Sequence, residues 1–317
     1  MIKFFKTKLP VICAVCLVIC LVGGFTNTNG SNLSSSSEPV SAAASSAGTD
    51  DGSASSLVSA ADTDNSVAYT NISIYVNGIM ISDGIKVNGS TYIPLRTFFE
   101  AIGKQADIVW DSKTNTATVT ANGLNLTAVV GNKYFTANSR CFYVPDGVLN
   151  VEGSVALPVR ELAKVYKIDV GWDTDTSSVS ICADEPQILD SASAVYKEKD
   201  LYWLSRLINS EAGNQSLEGK IAVGNVVINR LSDPDCPKTI YGVIFDNKFG
   251  TQFSVTETGG IYETPNDESV VAAKLCLEGY DIVGNSIYFV NPATGSTSWF
   301  NKTRVYVTSV GVHNFYA

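Results

Sequence analysis

The sequence predicts a mixed α+β protein with two folded parts, and three observations carry that expectation. The chain has 317 residues, more than one typical domain and fewer than three large ones. A small unit of strand, proline-led helix and Trp-containing strand occurs twice, which marks a duplicated α+β module. From Lys197 onward the apolar residues fall at helical spacing in a denser, separate segment. Hydrophobic residues make up 45% and aromatic residues 10%, enough to build real cores.

The first element is not part of that fold. Lys3, Lys6 and Lys8 precede an apolar run from Leu9 to about Phe25, broken by Pro10 and ended by Gly23 and Gly24. A positive start followed by a short apolar stretch is the pattern of an export signal over residues 1–30, with an uncleaved membrane anchor as the rival reading. Cys13, Cys16 and Cys20 lie in this run, and Ile19 is a poor fit to a lipoprotein cleavage site. Its removal takes three lysines and no acids, so the net charge of −9 becomes −12. Residues 31–68 contain no aromatic residue, no Lys and no Arg, and read as a Ser/Ala/Asp-rich disordered linker. Outside the cell, Cys141, Cys182, Cys236 and Cys276 face oxidising conditions. One bridge per folded part, Cys141 with Cys182 and Cys236 with Cys276, is one reading; buried free thiols are the other.

The second stretch, residues 69–186, holds the duplication. VNGSTYIPLRTFFEAIG from Val87 places Leu95, Phe98, Phe99 and Ile102 at i, i+3, i+4 and i+7 behind Pro94. VEGSVALPVRELAKVYK from Val151 does the same with Val159, Leu162, Ala163 and Tyr166 behind Pro158. Proline followed by an apolar stripe is a helix-start signal. Each helix leads to a strand ending in Trp110 or Trp172, then a polar turn and an alternating strand. These paired patterns resemble the copper amine oxidase N-terminal-like domain, which implies a wall-binding or spacing stalk. Copper ligation is not readable here, because the region offers no His and only two Cys.

The third stretch, residues 187–317, carries the candidate chemistry. Leu201, Leu204, Leu207 and Ile208 form a helical stripe, and Glu211 continues it before Ala212 and Gly213 end the helix. A carboxylate set against apolar side chains has a raised pKa and suits general acid catalysis; a solvated last-turn residue is the other reading. GKIAVGNVVINRL, from Gly219, is apolar nearly all round and reads as a buried central helix. Within it Gly224 allows close approach, Asn225 needs a partner, and Arg230 at the end is placed to fix a carboxylate. No G-x-S-x-G elbow occurs, and His313 is the only histidine, so His-rich zinc sites have too few ligands and a Ser or Cys triad would have to use His313. The acidic balance also excludes a nucleic-acid binder held by phosphate contacts.

SEAGNQSLEGKIAVGNVVINRL, TIYGVIF, TQFSVTETGG, AAKLCLEGY, SIYFVNP and GVHNFYA stand in one order across about 197–317. Together they resemble the spore-cortex-lytic enzyme and cell wall hydrolase family of the SleB and CwlJ type. The resemblance implies a lysozyme-like or lytic-transglycosylase-like α+β catalytic domain acting on peptidoglycan. It implies Glu211 as the catalytic acid and Glu218 as a possible second acid. It also implies substrate-binding roles for Gln252, Phe253, Ser254, Tyr288, Phe289, Asn291, His313 and Tyr316, with core packing the other reading for Phe253 and Phe289 and an orienting or structural role the other for His313. Many members read E-A-x-G-E where this chain has Asn214 and Gln215, so a second glutamate there is missing.

A glycosidase of the usual kind needs two carboxylates, whereas a lytic transglycosylase works with one glutamate. Glu218, Asp233 and Glu257 remain open as second acids for a hydrolase. The expected partner is peptidoglycan, acted on by a secreted monomer in the cell wall or spore envelope with no cofactor, no metal and no membrane contact beyond the signal or anchor. A non-catalytic wall-binding protein, or cleavage of another bond, stays open as an alternative.

Overall fold

The computed structural model describes residues 70–248 and 250–317. The export signal and the linker expected at 1–68 lie outside the described residues, as do Cys13, Cys16 and Cys20.

The chain opens with β1 (Thr70–Val76), β2 (Ile79–Val87) and β3 (Ser90–Pro94), then α1 (Leu95–Ala101). A five-stranded antiparallel meander follows: β4 (Ala106–Asp111), β5 (Thr116–Ala121), β6 (Leu124–Val129), β7 (Tyr134–Ala137) and β8 (Arg140–Tyr143). Next come β9 (Leu149–Val151), β10 (Ser154–Pro158), α2 (Val159–Val165), β11 (Asp169–Asp173) and β12 (Ser178–Cys182). A seven-stranded sheet runs in the order β11-β12-β1-β2-β3-β10-β9, and only the β1–β12 pair is parallel.

Both predicted helices start directly behind their prolines, Pro94 and Pro158, whose φ near −60° already suits the first turn. Their stripes meet in one core. Phe98 packs edge-on against Phe99 at 5.7 Å, and Phe99 meets Tyr166 of the second copy at 5.9 Å. Each Trp strand turns through an aspartate: Asp111 Oδ1 accepts from the Lys113 amide, and Asp173 Oδ1 from the amides of Asp175 and Thr176. Asn115 and Ser177 then take left-handed backbone at φ 51° and 50°. The copies nevertheless part company. The β4–β5 hairpin continues into the meander, whereas β12 closes against β1 at the edge of the large sheet.

The rest of the chain is mainly helical: α3 (Ala192–Val195), α4 (Glu198–Ala212), α5 (Leu217–Ser232), α6 (Ile240–Ile244), α7 (Val255–Thr258), a 3-10 turn (Gly260–Tyr262), α8 (Asp267–Leu277) and α9 (Ser298–Thr303). A small antiparallel sheet has the order β13 (Tyr288–Val290), β15 (His313–Tyr316), β14 (Tyr306–Val310). Helix α5 is the central one. Ser216 caps it by accepting from the Gly219 amide at 3.3 Å, and nearly every residue from Leu217 to Val227 is buried. Asn225 has the partners it requires: its Nδ2 donates to the Tyr280 carbonyl at 2.7 Å and its Oδ1 accepts from the Ile282 amide at 3.1 Å. Close approach at Gly224 is by side chains, since an added Cβ would lie 2.5 Å from Cys276 Sγ and 2.8 Å from Ile208 Cδ1.

One correction concerns the cysteines. All four described cysteines are free thiols, so neither expected bridge forms. Cys141 of β8 and Cys276 of α8 are buried in the same helical core, while Cys182 is exposed at the end of β12. Burial pushes the Cys141 thiol up to about 11, so it behaves as a small apolar filler. The residues from 70 onward also form a single compact unit. Leu189 still packs in the first core, and Cys141 and Tyr143 of the meander pack in the second.

Candidate active site

Glu211 lies in the last turn of α4, whose buried face consists of Leu204, Ser205, Leu207, Ile208 and Ala212. The residue is partly exposed at the surface yet its carboxyl is closely surrounded by protein. It has no hydrogen-bond or ion-pair partner among the described residues. Loss of hydration is the only cause acting on it, and it pushes the carboxyl up to about 7. The neighbouring Ser210 hydroxyl lies 2.9 Å from the carbonyls of Arg206 and Gly260, which ties the helix end to the 3-10 turn. Asn209 Oδ1 accepts from the Asn266 amide at 3.0 Å, and Asn266 Nδ2 donates to the Gly213 carbonyl at 3.1 Å. The backbone bearing Glu211 is therefore fixed on both sides.

An aromatic wall that sequence reasoning missed stands further up the same helix. Trp203 packs edge-on with Tyr202, Tyr241, Phe245 and Tyr262 at 4.9 to 6.1 Å. Tyr202, Tyr241 and Tyr262 are exposed, and the Arg206 guanidinium lies 3.9 Å from the Tyr202 ring centre. The 3-10 turn links this wall to the acid, since its Gly260 carbonyl holds Ser210 and its Tyr262 ring meets Trp203. Exposed aromatic faces suit the apolar sides of sugar rings. The available signal was the Tyr202-Trp203 pair, two large rings in a helix whose inward stripe was already filled by leucines.

Glu218 sits apart from such a role. It forms an ion pair with Lys133 of the β6–β7 turn and accepts from the Tyr143 hydroxyl at 3.3 Å. Burial alone raises its pKa, but hydrogen bonds from Lys133, its own backbone and Ser216, with the Lys133 charge, hold it below the usual carboxylate value. A carboxylate held ionised by a lysine cannot serve as an acid at neutral pH. Glu257 is exposed and accepts from the Thr251 hydroxyl, and Asp233 Oδ1 accepts from the Asp235 amide at 2.8 Å.

The remaining expected site residues fall into two groups. Gln252, Ser254, Tyr288, Phe289 and Asn291 are partly exposed, whereas Phe253, His313 and Tyr316 are buried. The small sheet explains the second group. β15 pairs Phe289 with Phe315 and Tyr288 with Tyr316, so alternate residues face opposite ways. On one side Phe289, His313 and Phe315 pack together over α5 with Phe253 nearby. On the other, Tyr316 stacks on Phe300 of α9 at 5.2 Å and donates to Asn301 at 3.0 Å. With both faces covered, Phe253, His313 and Tyr316 are buried and pack within the fold. Burial also lowers the His313 pKa, so it is neutral at pH 7.

Arg230 does not fix a carboxylate. Its guanidinium lies between the rings of Phe253 and Tyr288, at 5.2 and 5.5 Å, and its Nε donates to the Ile287 carbonyl at 2.8 Å. Asn291 Oδ1 accepts from the Ala293 amide in a turn, and Gln252 Nε2 donates to the Gly250 carbonyl, so both are occupied locally. At Gln215, where many relatives have a second glutamate, the backbone carbonyl accepts from the buried Lys220 ammonium at 2.6 Å, and the side chain packs against Gly219 and Gly311. Copper finds no donor set in the β-rich part: it has no His, Cys141 is in the core and Cys182 is exposed elsewhere on β12.

Comparison with known proteins fits this division. Residues 214–316 match the Cell Wall Hydrolase family model and residues 75–181 match that of the Copper amine oxidase N-terminal domain. Glu211 stands just before the first of these ranges. The chain is 32% identical over 120 residues to the spore cortex-lytic enzyme of Oceanobacillus iheyensis and 31% identical over 120 residues to that of Bacillus cereus. Each match covers 38% of this chain, and 42% and 45% of those proteins, so less than half the length of these curated relatives is spanned. Among solved structures, the catalytic domain of the germination-specific lytic transglycosylase SleB from Bacillus anthracis is 31% identical, with 38% of this chain and 97% of that chain covered and a TM-score of 0.35. The Bacillus cereus SleB catalytic domain is 30% identical, with 38% and 92% covered and a TM-score of 0.35. The C-terminal part of the chain is thus similar to the cell wall hydrolase family, and a stretch similar to the copper amine oxidase N-terminal domain precedes it.

Proposed function

We propose that this protein degrades peptidoglycan by cutting the bond from N-acetylmuramic acid to N-acetylglucosamine, as a secreted lytic transglycosylase of the cell wall or spore cortex. Glu211 carries the reading: a carboxyl pushed up to about 7 by lost hydration, with no cation or donor beside it among the described residues, keeps a proton to give near neutral pH.

The reaction has two proton transfers. Protonated Glu211 first gives its proton to the glycosidic oxygen, and the bond from that oxygen to the muramic acid C1 breaks. The ionised carboxylate then takes the proton of the C6 hydroxyl as that oxygen bonds to C1, closing a 1,6-anhydro ring. Glu211 ends protonated again, so no water and no second carboxylate is consumed. Glu218 is paired with Lys133, and the scheme assigns it no step. The exposed wall of Tyr202, Tyr241 and Tyr262 supplies faces for neighbouring sugar rings.

Glu211→Gln keeps the size and hydrogen-bonding shape of the side chain while removing its acidity. The variant is expected to lose cleavage of purified sacculi by roughly 1,000-fold, the order of a lost acid–base group, and to keep sedimenting with them. Cleavage within about tenfold of the parent would overturn the assignment.

A further inference from the structure

A concave site without Glu211 in its lining lies in the β-rich part where it meets Tyr280. The cavity of about 480 Å³ is lined by Lys86 of β2, Tyr143 of β8, Arg160 of α2, Trp172 of β11 and Tyr280. Its volume is in the range of clefts that hold small ligands, roughly 300–1,000 Å³. Trp172 is 41% exposed on an edge strand, and the Lys86 ammonium lies 5.3 Å from its ring centre. Arg160 projects from the exposed side of α2.

The charges in this cavity do not balance. Its carboxylate, Glu161, is already taken by Lys164 at 2.9 Å and by the Tyr280 hydroxyl. Neither Lys86 nor Arg160 has a carboxylate partner among the described residues. Two uncompensated cations beside an open indole, in a chain of net charge −9, select for a ligand that brings its own negative charge. A flat, apolar ring face is what the indole adds. We propose that this cavity is a second binding site, for an acidic saccharide: a sugar ring stacks on Trp172 and its carboxylate reaches Lys86 and Arg160. Tyr143 and Tyr280, packed edge-on at 6.0 Å, also line the cavity, so a bound strand touches both the β-rich part and the helical part. The site holds substrate polymer while another stretch of it lies in the catalytic cleft. It rests on the peptidoglycan reading for the identity of that polymer and for the choice of probe.

The test uses the full chain carrying Glu211→Gln, so that binding is read without turnover. Isothermal titration is run with soluble glycan fragments bearing free lactyl carboxylates, with the same fragments methyl-esterified, and with a polyuronic acid. Two fragments per chain are expected to bind, falling to one when Trp172→Ala is added. Lys86→Gln with Arg160→Gln should weaken that site by about tenfold or more, and the ester should reproduce this loss. Trp172 and Arg160 are exposed and Lys86 is partly exposed, and the Gln pair leaves the indole in place, so either variant alone decides the question. Tighter binding of the glycan or of the polyuronate assigns the natural source. Unchanged stoichiometry and affinity in both variants, or equal binding of acid and ester, would overturn the proposal. If Glu211→Gln still cleaves, the catalytic assignment fails while this reading of the cavity stands.

Discussion

At position 211 a carboxyl loses water to its neighbours and receives no cation or donor among the described residues in exchange, and both rate and stability register that imbalance. A general acid must hold its proton, so kcat/KM is expected to fall as pH rises through about 7, with the parent titrated on purified peptidoglycan. The stability effect has the same origin. The folded-state pKa is raised from 4.5, so the stabilisation is fully present below pH 4.5 and is lost as pH climbs through about 7. Glu211→Gln removes this dependence and should be more stable than the parent at pH 8 by about 2 kcal/mol, after discounting for partial exposure; urea midpoints at pH 4 and pH 8 check the sign. At Gly224 an added methyl would meet Cys276 and Ile208 in the packed core, and Gly224→Ala should cost about 1–3 kcal/mol by denaturant titration. The placement of Glu211, the need for a partner at Asn225 and the crowding at Gly224 were legible from helical spacing. Core packing was an open reading for Phe253, as a structural role was for His313; the burial of Tyr316 was not legible, because motif letters do not say which face of a short strand is covered.

Among the elements, α5 is the one whose ends decide whether its apolar length can be buried. Ser216 at its start accepts from the Gly219 amide, and Lys220 reaches back to the Gln215 carbonyl and across to Glu268 of α8. Ser216→Ala should lower stability by about 1 kcal/mol, the usual worth of an N-cap, seen as a shifted urea midpoint with an unchanged slope. The positions of α1 and α2 were readable from the proline and stripe of each, and those of α4 and α5 from their apolar residues alone. The strand pairings were less so. The two Trp hairpins share their aspartate turns, yet one feeds the meander and the other the large sheet, because β1, from outside the repeat, supplies the partner for β12. Pairing between distant strands leaves little trace in local pattern. The aromatic wall of α4 and α6 escaped for a similar reason, since Trp203, Tyr241 and Tyr262 come from three separate segments.

Across the molecule, the two parts are joined by a polar seam around an apolar centre. Arg140 holds Glu278 through two hydrogen bonds of 2.7 and 2.6 Å, the Tyr196 hydroxyl donates to the same carboxylate, and Lys274 Nζ donates to the Ser139 carbonyl at 3.0 Å. Glu278→Ala leaves Arg140 half-buried without its partner and should cost about 3 kcal/mol. Scanning calorimetry is expected to show one transition for the parent and two for the variant. Two parts were foreseen from length, repeat and resemblance; their fusion was not, because Lys133, Arg140 and Cys141 belong to strands and turns that look ordinary in sequence. The central claim is that one glutamate of the helical part cuts glycan strands without water. Mass spectrometry of peptidoglycan digested by the full chain tests it most directly: 1,6-anhydromuramic ends are the predicted product, and reducing ends, free stem peptides or an undigested wall would contradict it.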